Sequence, residues 1–443
     1  MRLNMEQKCL RADARKKEKN NMDKLLIIAD DFTGSLDTGI QFCKDGVKAK
    51  VVSEVNYDFS TTQEDVSLIV INTDSRPLTP KDAYERVYTV AKNAVEHGIK
   101  YIYKKTDSGL RGNIGSELLA VLDATNQKVL CFIPALPKLN RITKDGIAWI
   151  NGVPVSQSVF GEDPFEPVQY DDIVEIINDQ VKTQVVKVSR NEYEHIDLNP
   201  EEKTIYLFDA ETEQDLEKIA MILKKKDCFT LCGGCAGFAR YYDKMITLDK
   251  SYKPEMIQTD GLLALCGSVN QITVDQLKYA GEHGFQRGNL TCEQKLESSY
   301  LESDEGKKFI NELFEIMQNN DRYALDTLDI PDTESVKNYR LRNNMTYEQC
   351  RFQIADTIGL IAIEMIWRGL NVTYSLTGGD TLMGLMRATG CKELIPVCEI
   401  GQGAVLNLMY WNGKCIQIIS KSGGFGEKEI FNMMYETVKG EKR

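Results

Sequence analysis

Short apolar runs alternate along this chain with longer segments in which apolar residues recur at helical spacing. The first run, residues 25–29 (LLIIA), passes through a polar turn into Leu36 and Ile40, which begin a helical pattern. Further strands are predicted at residues 49–55, 66–72, 101–106, 129–135, 204–210 and 229–231, with helices at 80–97 and 214–225 and a hairpin at 147–155. Continuous apolar runs are typical of strands buried on both faces, so this alternation predicts an α/β fold with a parallel sheet.

The same alternation resumes after residues 248–259, a polar segment without periodicity that we interpret as a linker. Strands are predicted at residues 262–266, 372–376, 406–410 and 415–420, and a long helix at 347–367. The charged residues 284–345 are expected to be peripheral to the second sheet. We therefore predict two α/β domains, residues 22–250 and 260–443, each with a largely parallel sheet flanked by helices, after a disordered extension at residues 1–21.

Composition narrows the possible functions. A net charge of −12 over 443 residues argues against nucleic acid as the main partner. No apolar run approaches the roughly 18 residues of a membrane-spanning helix, and the first 24 residues lack the apolar core of a secretory signal. Twelve cysteines without such a signal favour a reducing cytoplasm. Cys232 and Cys235 have no second pair nearby, so the sequence identifies no metal ligands.

Charged and hydroxyl side chains follow the strands of the first domain. Asp30 and Asp31 come directly after the first strand, and Arg76 follows the third. After the fourth come Lys105, Thr106, Asp107, Ser108 and Arg111. Parallel strands bind ligands at their carboxyl ends, where Arg and Lys can hold a carboxylate or phosphate and Asp can accept a proton from an alcohol. One of the two adjacent Asp residues could instead cap the following helix.

Three glycine turns between a strand and a helix occur in the second domain: Gly267-Ser268, residues 377–381 (TGGDT) and residues 421–426 (KSGGFG). Glycine lets the backbone approach an anion, and the start of a helix attracts phosphate. Neither a Walker A sequence nor a Gly-x-Gly-x-x-Gly fingerprint is present. The turns therefore predict a nucleotide site of a less common type.

The turns at residues 377–381 and 421–426, together with residues 28–34 (IADDFTG) and 105–113 (KTDSGLRGN), resemble the four-carbon acid sugar kinases. The resemblance implies phosphorylation of threonate, erythronate or 2-oxo-tetronate by ATP with Mg²⁺, in a cleft between a sugar-acid-binding domain and an ATP-binding domain. The sugar-acid site is expected to contain Asp30, Asp31, Arg76, Lys105, Thr106, Asp107, Ser108 and Arg111. The ATP site is expected to contain Ser268, Gly378, Gly379, Asp380, Thr381, Lys421, Gly423 and Gly424. A homodimer is the commonest arrangement for such an enzyme.

Asp31 is the predicted catalytic residue, because it lies nearer the turn than Asp30 and the two side chains point in opposite directions if the strand continues. Gly109 departs from the family pattern, as do residues 134–141 and 401–404, and the first two of these departures bear on which acid is bound. A haloacid-dehalogenase-like phosphatase is one alternative, although Phe32 and Thr33 stand where its second Asp is needed. A non-catalytic sugar-acid-binding protein is the other.

Overall fold

The computed structural model describes residues 23–63, 65–163, 166–331 and 333–440. The predicted extension at residues 1–21 lies outside the described residues. The chain divides between Lys253 and Pro254 into two compact units. No helix in the described residues is both long enough and apolar enough to cross a membrane.

The N-terminal unit is built around eight parallel strands. Its strands are β1 (Leu25–Ala29), β2 (Ala49–Val52), β3 (Leu68–Asn72), β4 (Tyr101–Lys105), β5 (Val129–Ile133), β6 (Arg141–Lys144), β7 (Ile147–Ile150), β8 (Val153–Pro154), β9 (Gln184–Val188), β10 (Thr204–Phe208) and β11 (Leu231–Gly234). The parallel sheet has the order β2-β3-β1-β4-β11-β5-β10-β9, and β6, β7 and β8 form a separate antiparallel sheet.

Helices lie between most of these strands. They are α1 (Phe32–Cys43), α2 (Pro80–Glu96), α3 (Ile114–Ala124), α4 (Ile173–Gln180), α5 (Glu213–Lys225), α6 (Ala236–Ala239) and α7 (Tyr242–Met245). The start of α2 shows why such boundaries follow from sequence. Pro80 occupies its first turn, and the Thr79 hydroxyl accepts a hydrogen bond from the Asp82 backbone N–H.

The register of β1 places the polar residues at one edge of the sheet. All five residues of β1 are buried, and the strand pairs with β3 on one side and β4 on the other. Ala29 is opposite both Asn72 and Lys105. The segments that follow these three strands therefore start side by side, as the sequence predicted.

The predicted hairpin is present between β7 and β8, where Asn151 and Gly152 both have positive φ, at 50° and 85°. The predicted strand at residues 229–231 was misplaced. The strand is β11, Leu231–Gly234, because the two glycines continue the ladder against β4 and β5. Sequence reasoning treated those glycines as the turn beyond the strand.

The C-terminal unit has a second, mostly parallel sheet. Its strands are β12 (Leu262–Cys266), β13 (Gln286–Asn289), β14 (Arg322–Asp326), β15 (Thr373–Thr377), β16 (Glu393–Gly401), β17 (Ala404–Trp411) and β18 (Lys414–Lys421). Its helices are α8 (Gln271–Glu282), α9 (Cys292–Leu296), α10 (Asp304–Asn319), α11 (Val336–Arg342), α12 (Tyr347–Trp367), α13 (Gly379–Thr389) and α14 (Ile430–Lys439). The order is β13-β14-β12-β15-β18-β17-β16, and β17 pairs antiparallel with both of its neighbours, β18 and β16.

Residues 284–345 are not peripheral, contrary to the expectation from sequence. Within them β14 pairs directly with β12, and β13 extends the sheet beyond β14. The sequence of β13, QRGN, is wholly polar and carries no strand signal. The structure also adds β16, which sequence reasoning missed because Pro396 and a bulge interrupt its pattern.

Candidate active site

Asp30 and Asp31 follow β1 directly and share one guanidinium. Arg76 donates from Nε to Asp30 Oδ2 at 2.7 Å, and its Nη2 lies 2.7 Å from Asp31 Oδ1. The backbone fixes this arrangement, because the N–H groups of Ser75 and Arg76 both donate to the Asp30 carbonyl. Asn113 Nδ2 holds the same loop by donating to the carbonyls of Ser75 and Leu78.

The two neighbouring carboxylates have different surroundings. The Asp30 side chain is only 3% exposed, whereas that of Asp31 is 27% exposed. Burial by itself would raise the pKa of Asp30, but Arg76, Lys105 and Lys104 together hold that pKa below its usual value. Asp30 therefore stays ionised as a buried partner of Arg76, and Asp31 is the carboxylate that reaches the surface.

Asp31 occupies the N-cap position of α1, but its side chain makes no capping hydrogen bond. The sequence left open that one of these two Asp residues caps the helix. Asp31 does occupy the capping position, but its carboxylate does not cap the helix. Asp31 Oδ1 instead lies 3.5 Å from Lys105 Nζ, in addition to its contact with Arg76. The side chain that could cap the helix faces a cluster of cations.

Lys105 lies behind this pair and is almost fully buried. Burial lowers the pKa of Lys105, but Asp31 and Asp30 outweigh that effect and raise the pKa above its usual value. A Cβ atom at Gly34 would lie 2.2 Å from Lys105 Nζ and 2.4 Å from Asp31 Oδ1. Glycine at the first turn of α1 is thus what allows the ammonium and the carboxylate to meet.

Asp107 joins the cluster from the loop after β4. Its carboxylate accepts from Arg111 Nε at 2.9 Å and lies 3.7 Å from Arg76 Nη2. Burial would raise the pKa of Asp107, but Arg76 and Arg111 lower that pKa far below its usual value. Arg111 also donates from Nη1 to Asp163 Oδ2 at 2.9 Å.

The other two predicted residues of this loop are also at the cluster. The Thr106 backbone N–H donates to Gly234 at the end of β11, and its buried hydroxyl has no hydrogen-bond partner among the described residues. The Ser108 hydroxyl accepts a hydrogen bond from Arg141 Nη1. The structure therefore brings together all eight predicted sugar-acid residues.

A buried ion pair that sequence reasoning missed lies beneath this cluster. Lys104 Nζ is 2.7 Å from Glu117 Oε2, and both side chains are almost completely excluded from solvent. The Ser75 hydroxyl donates to the other oxygen of Glu117 at 2.5 Å. Burial raises the pKa of Glu117 against the opposing effect of Lys104. Nothing in the sequence indicates this pair, because the adjacent lysines of β4 look alike although they have different partners.

The glycine turns of the C-terminal unit come together at the carboxyl ends of β12, β15 and β18. A Cβ atom at Gly423 would lie 2.3 Å from Ser268 Oγ, and one at Gly267 would lie 2.3 Å from Thr381 Oγ1. Gly378 has a φ of 110°, which L side chains rarely adopt, and precedes the first helical residue, Gly379. The three turns lie side by side, and we call the following residues of these turns the glycine cradle: Ser268, Gly378, Gly379, Thr381, Gly423 and Gly424.

Lys421 lies at the edge of the glycine cradle. Its carbonyl accepts from the Gly378 N–H at 2.8 Å, and its Nζ donates to the Ser422 carbonyl at 2.9 Å. Burial lowers the pKa of Lys421 to about 8, and no carboxylate of the described residues pairs with the ammonium. The ammonium therefore has no carboxylate partner in the described part of the chain, although Lys421 is only 2% exposed.

Asp380 differs from the rest of the predicted ATP set. Its carboxylate is about half exposed and lies 3.2 Å from Arg351 Nε on α12. Sequence reasoning also missed Thr273 and Gln276 on α8. Thr273 donates to the Gly423 carbonyl at 2.8 Å, and Gln276 Nε2 donates to the carbonyls of Phe425 and Gly426. They hold the turn after β18 in place.

Two family models match the chain. One, described as a sugar-binding N-terminal domain, matches residues 25–242. The other, described as a nucleotide-binding C-terminal domain, matches residues 263–431. The first match contains the cluster formed by Asp30, Asp31, Arg76, Lys105, Asp107 and Arg111, and the second contains the glycine cradle.

Curated relatives span nearly the whole chain. The D-threonate kinase of Salmonella typhimurium is 26% identical over 91% of this chain and 95% of its own length. The D-erythronate kinase of Heliobacterium modesticaldum is 25% identical over 86% of this chain and 90% of its own length. The 3-oxo-tetronate kinase of Haemophilus influenzae is 23% identical over 91% of this chain and 97% of its own length. The last name differs from the 2-oxo acid that the sequence resemblance implied.

The fold also matches a solved structure. A Haemophilus influenzae protein of known crystal structure superposes with a TM-score of 0.71 at 20% identity, covering 94% of this chain and 99% of that one. At this identity the match supports the fold.

Proposed function

Because the chain belongs to the four-carbon acid sugar kinase family, we propose that it transfers the γ-phosphoryl group of ATP to a hydroxyl of D-threonate, D-erythronate or 3-oxo-tetronate. The chain is an ATP-dependent kinase of four-carbon sugar acids, and the proposal concerns its substrate and its residues. The proposal is supported by the different chemical composition of the two sites. One site is rich in carboxylates and cations, and the other is lined by backbone N–H groups and hydroxyls.

We assign the sugar acid to the N-terminal cluster. A four-carbon sugar acid carries several hydroxyls and one carboxylate, so its site needs both hydrogen-bond acceptors and a cation. Asp30, Asp31 and Asp107 provide acceptors, and Arg76, Lys105 and Arg111 lie within ion-pairing distance of these carboxylates. Thr106 and Ser108 add hydroxyl groups.

We assign the catalytic role to Asp31. It is the more exposed of the adjacent carboxylates, and its side chain does not cap the helix. In this role Asp31 accepts a hydrogen bond from the attacking hydroxyl and takes its proton as the phosphoryl group arrives. Arg76 and Lys105 fix the position of the carboxylate, while Asp30 holds Arg76. Asp30 is thus a positioning residue.

We assign ATP to the glycine cradle and Lys421. Phosphoryl transfer needs mainly alignment and stabilisation of phosphate charge, which backbone N–H groups and an ammonium provide. Gly424 leaves the backbone open, since the nearest atom to a Cβ placed there is Asn270 Nδ2 at 3.8 Å. Because its carboxylate pairs with Arg351, Asp380 is expected to act through the start of α13 and not by touching phosphate.

Mg²⁺ fits this scheme as a companion of the nucleotide. Among the described residues, no group of three His, Cys, Asp or Glu side chains could hold a metal ion by itself. Mg²⁺ commonly binds through substrate phosphates and water with one or two carboxylates, which requires no such cage. When bound, it neutralises phosphate charge, and the residues above do the remaining work of binding and proton transfer.

The eleven described cysteines are all free thiols, in keeping with the proposed cytoplasmic location. A homodimer stays a prediction that light scattering of the purified protein would check. A phosphatase would leave the need for a nucleotide-binding domain unexplained. A binding protein without activity would likewise give the glycine cradle no role.

The direct test is ADP release by the purified enzyme, supplied with ATP, Mg²⁺ and each of the three acids in turn. We expect ADP to appear in step with a phosphorylated acid for at least one of them. Release of inorganic phosphate from a phosphorylated acid, with no consumption of ATP, would instead support the phosphatase. Binding of the acid without any turnover would support the non-catalytic alternative.

A further inference from the structure

The cations of the N-terminal cluster are almost all neutralised by acids of the same cluster. Arg76 pairs with Asp30 and Asp31, and Arg111 pairs with Asp107 and Asp163. Lys105 lies within 4 Å of both Asp30 and Asp31. A substrate carboxylate placed on any of these would have to compete with a protein carboxylate already in contact.

Arg141 is the exception. No carboxylate of the described residues lies within ion-pairing distance of its guanidinium, and its one side-chain hydrogen bond goes to the neutral Ser108 hydroxyl. The side chain is nevertheless partly buried, and burial lowers its pKa from the usual value. Burying part of an arginine without a carboxylate partner reduces the stability of the fold unless an anion binds to the guanidinium.

The surroundings of Arg141 hold its guanidinium in one position. It lies over the ring of Phe160, with the guanidinium carbon 4.9 Å from the ring centroid, and the guanidinium of Arg111 lies 5.2 Å from the same centroid. The ring thus contacts two cations that would otherwise repel each other. Phe160 itself fits only because residue 109 is glycine, since a Cβ there would lie 2.5 Å from the ring.

We propose that Arg141 is the residue that binds the carboxylate of the sugar acid, with Ser108 beside it as a hydroxyl partner. The proposal rests on the proposed function and assigns one end of the substrate within it. A guanidinium can form two parallel hydrogen bonds to a carboxylate, and Arg141 has no carboxylate of the described residues in direct contact, although Asp107 attracts it at longer range. Arg76 and Arg111 then organise the acids that bind the hydroxyls.

The test compares the acid with its primary amide, which keeps the hydroxyls and loses the negative charge. Wild type, Arg141→Met, Arg141→Lys and Lys144→Met are assayed with D-threonate, D-erythronate and the two amides, and acid binding is measured by calorimetry. Lys144 is the matched control, because it lies on the same strand β6, is about half exposed and loses the same charge.

We expect Arg141→Met to raise KM for the acid about a hundredfold, the usual scale for removing one partner of a desolvated charged pair. Its KM for the amide should stay near the wild-type value, and Lys144→Met should behave as wild type on both. Arg141→Lys should have a KM for the acid between those of wild type and Arg141→Met, because lysine keeps the charge and lacks the planar guanidinium. ATP affinity should not change in any variant.

Equal losses on acid and amide in Arg141→Met would overturn the inference, because they would make Arg141 merely structural. An unchanged KM for the acid would overturn it as well. If wild type binds an acid by calorimetry but never consumes ATP, the proposed function fails while the binding comparison still decides the role of Arg141. If wild type binds none of D-threonate, D-erythronate and 3-oxo-tetronate, both proposals fail.

Discussion

Arg76 Nη2 lies 2.7 Å from Asp31 Oδ1 although Asp31 occupies the N-cap of a helix, a position where the carboxylate ordinarily binds backbone N–H groups. The start of the helix therefore lacks a side-chain capping hydrogen bond, and the carboxylate contacts Arg76 instead. Such a capping interaction contributes about 1 kcal/mol to stability. A local arrangement that forgoes it is typical of a functional site.

Gly424→Val is expected to weaken ATP binding at least about tenfold, the equivalent of one lost charge-assisted hydrogen bond. The reason is that a side chain there would keep phosphate from the backbone of the glycine cradle. The fold should tolerate the change, because the nearest atom to a new Cβ is 3.8 Å away. Calorimetry with ATP measures the loss, and the melting temperature should stay close to wild type.

Gly423 is unsuitable for the same experiment, since a Cβ there would meet Ser268 Oγ at 2.3 Å and disturb the fold. Gly424→Ala is the graded control and should give a smaller loss than valine. Unchanged ATP affinity in Gly424→Val would place the phosphates elsewhere.

ATP affinity should fall as the pH rises through about 8, because burial lowers the pKa of Lys421 to about 8. Below that pH the ammonium is charged and attracts phosphate, and above it the neutral amine does not. Lys421→Arg should bind ATP with an affinity that stays level between pH 7 and pH 9, since arginine remains protonated there. A wild-type affinity that is equally level over this range would exclude Lys421 from the phosphate site.

Gly109→Ser is expected to destabilise the protein by about 1–3 kcal/mol, the usual cost of inserting atoms into a packed site. The new Cβ would overlap the Phe160 ring. The double variant Gly109→Ser with Phe160→Ala should recover part of that loss, which denaturant unfolding of the two single variants and the double variant would measure. Additive losses would show that the two positions do not contact each other.

Glu117→Gln should destabilise the fold by about 3–5 kcal/mol, because it leaves the buried Lys104 charge without its partner. The matched control is Glu175→Gln, which removes a carboxylate from helix α4, where the described residues place no ion pair on it. Denaturant unfolding measures both. A small effect at Glu117 would mean that solvent reaches the pair.

The sequence predicted that these polar side chains lie together, because each of them directly follows a strand along the chain. The five-residue strands β1, β3 and β4 each lead into a polar loop, and their parallel pairing brings these three loops together. The same reasoning found the glycine cradle. It favoured Asp31 over Asp30 from its place at the turn alone, and the different exposure of the two carboxylates became visible only in the folded chain.

Residues whose role depends on distant packing were beyond sequence reasoning. Phe160 lies in an irregular segment, and only the folded chain shows its ring against Gly109 and two guanidiniums. Arg141 stood in a loop noted for departing from the family pattern, but its lack of a carboxylate partner is a property of the whole cluster. The edge strand β9 was missed because its mixed, half-exposed sequence gives a weak pattern.

The central claim, that Asp31 is the catalytic carboxylate of a four-carbon acid kinase, is tested most directly by ADP release from Asp31→Asn with saturating ATP and acid. The change keeps the shape and removes the proton acceptor, so kcat should fall about a hundredfold to ten-thousandfold while ATP affinity stays within a few-fold. Asp30→Asn is the control and should act mainly on stability, through Arg76. The account is contradicted if Asp31→Asn turns over at the wild-type rate, or if Asp30→Asn alone abolishes turnover.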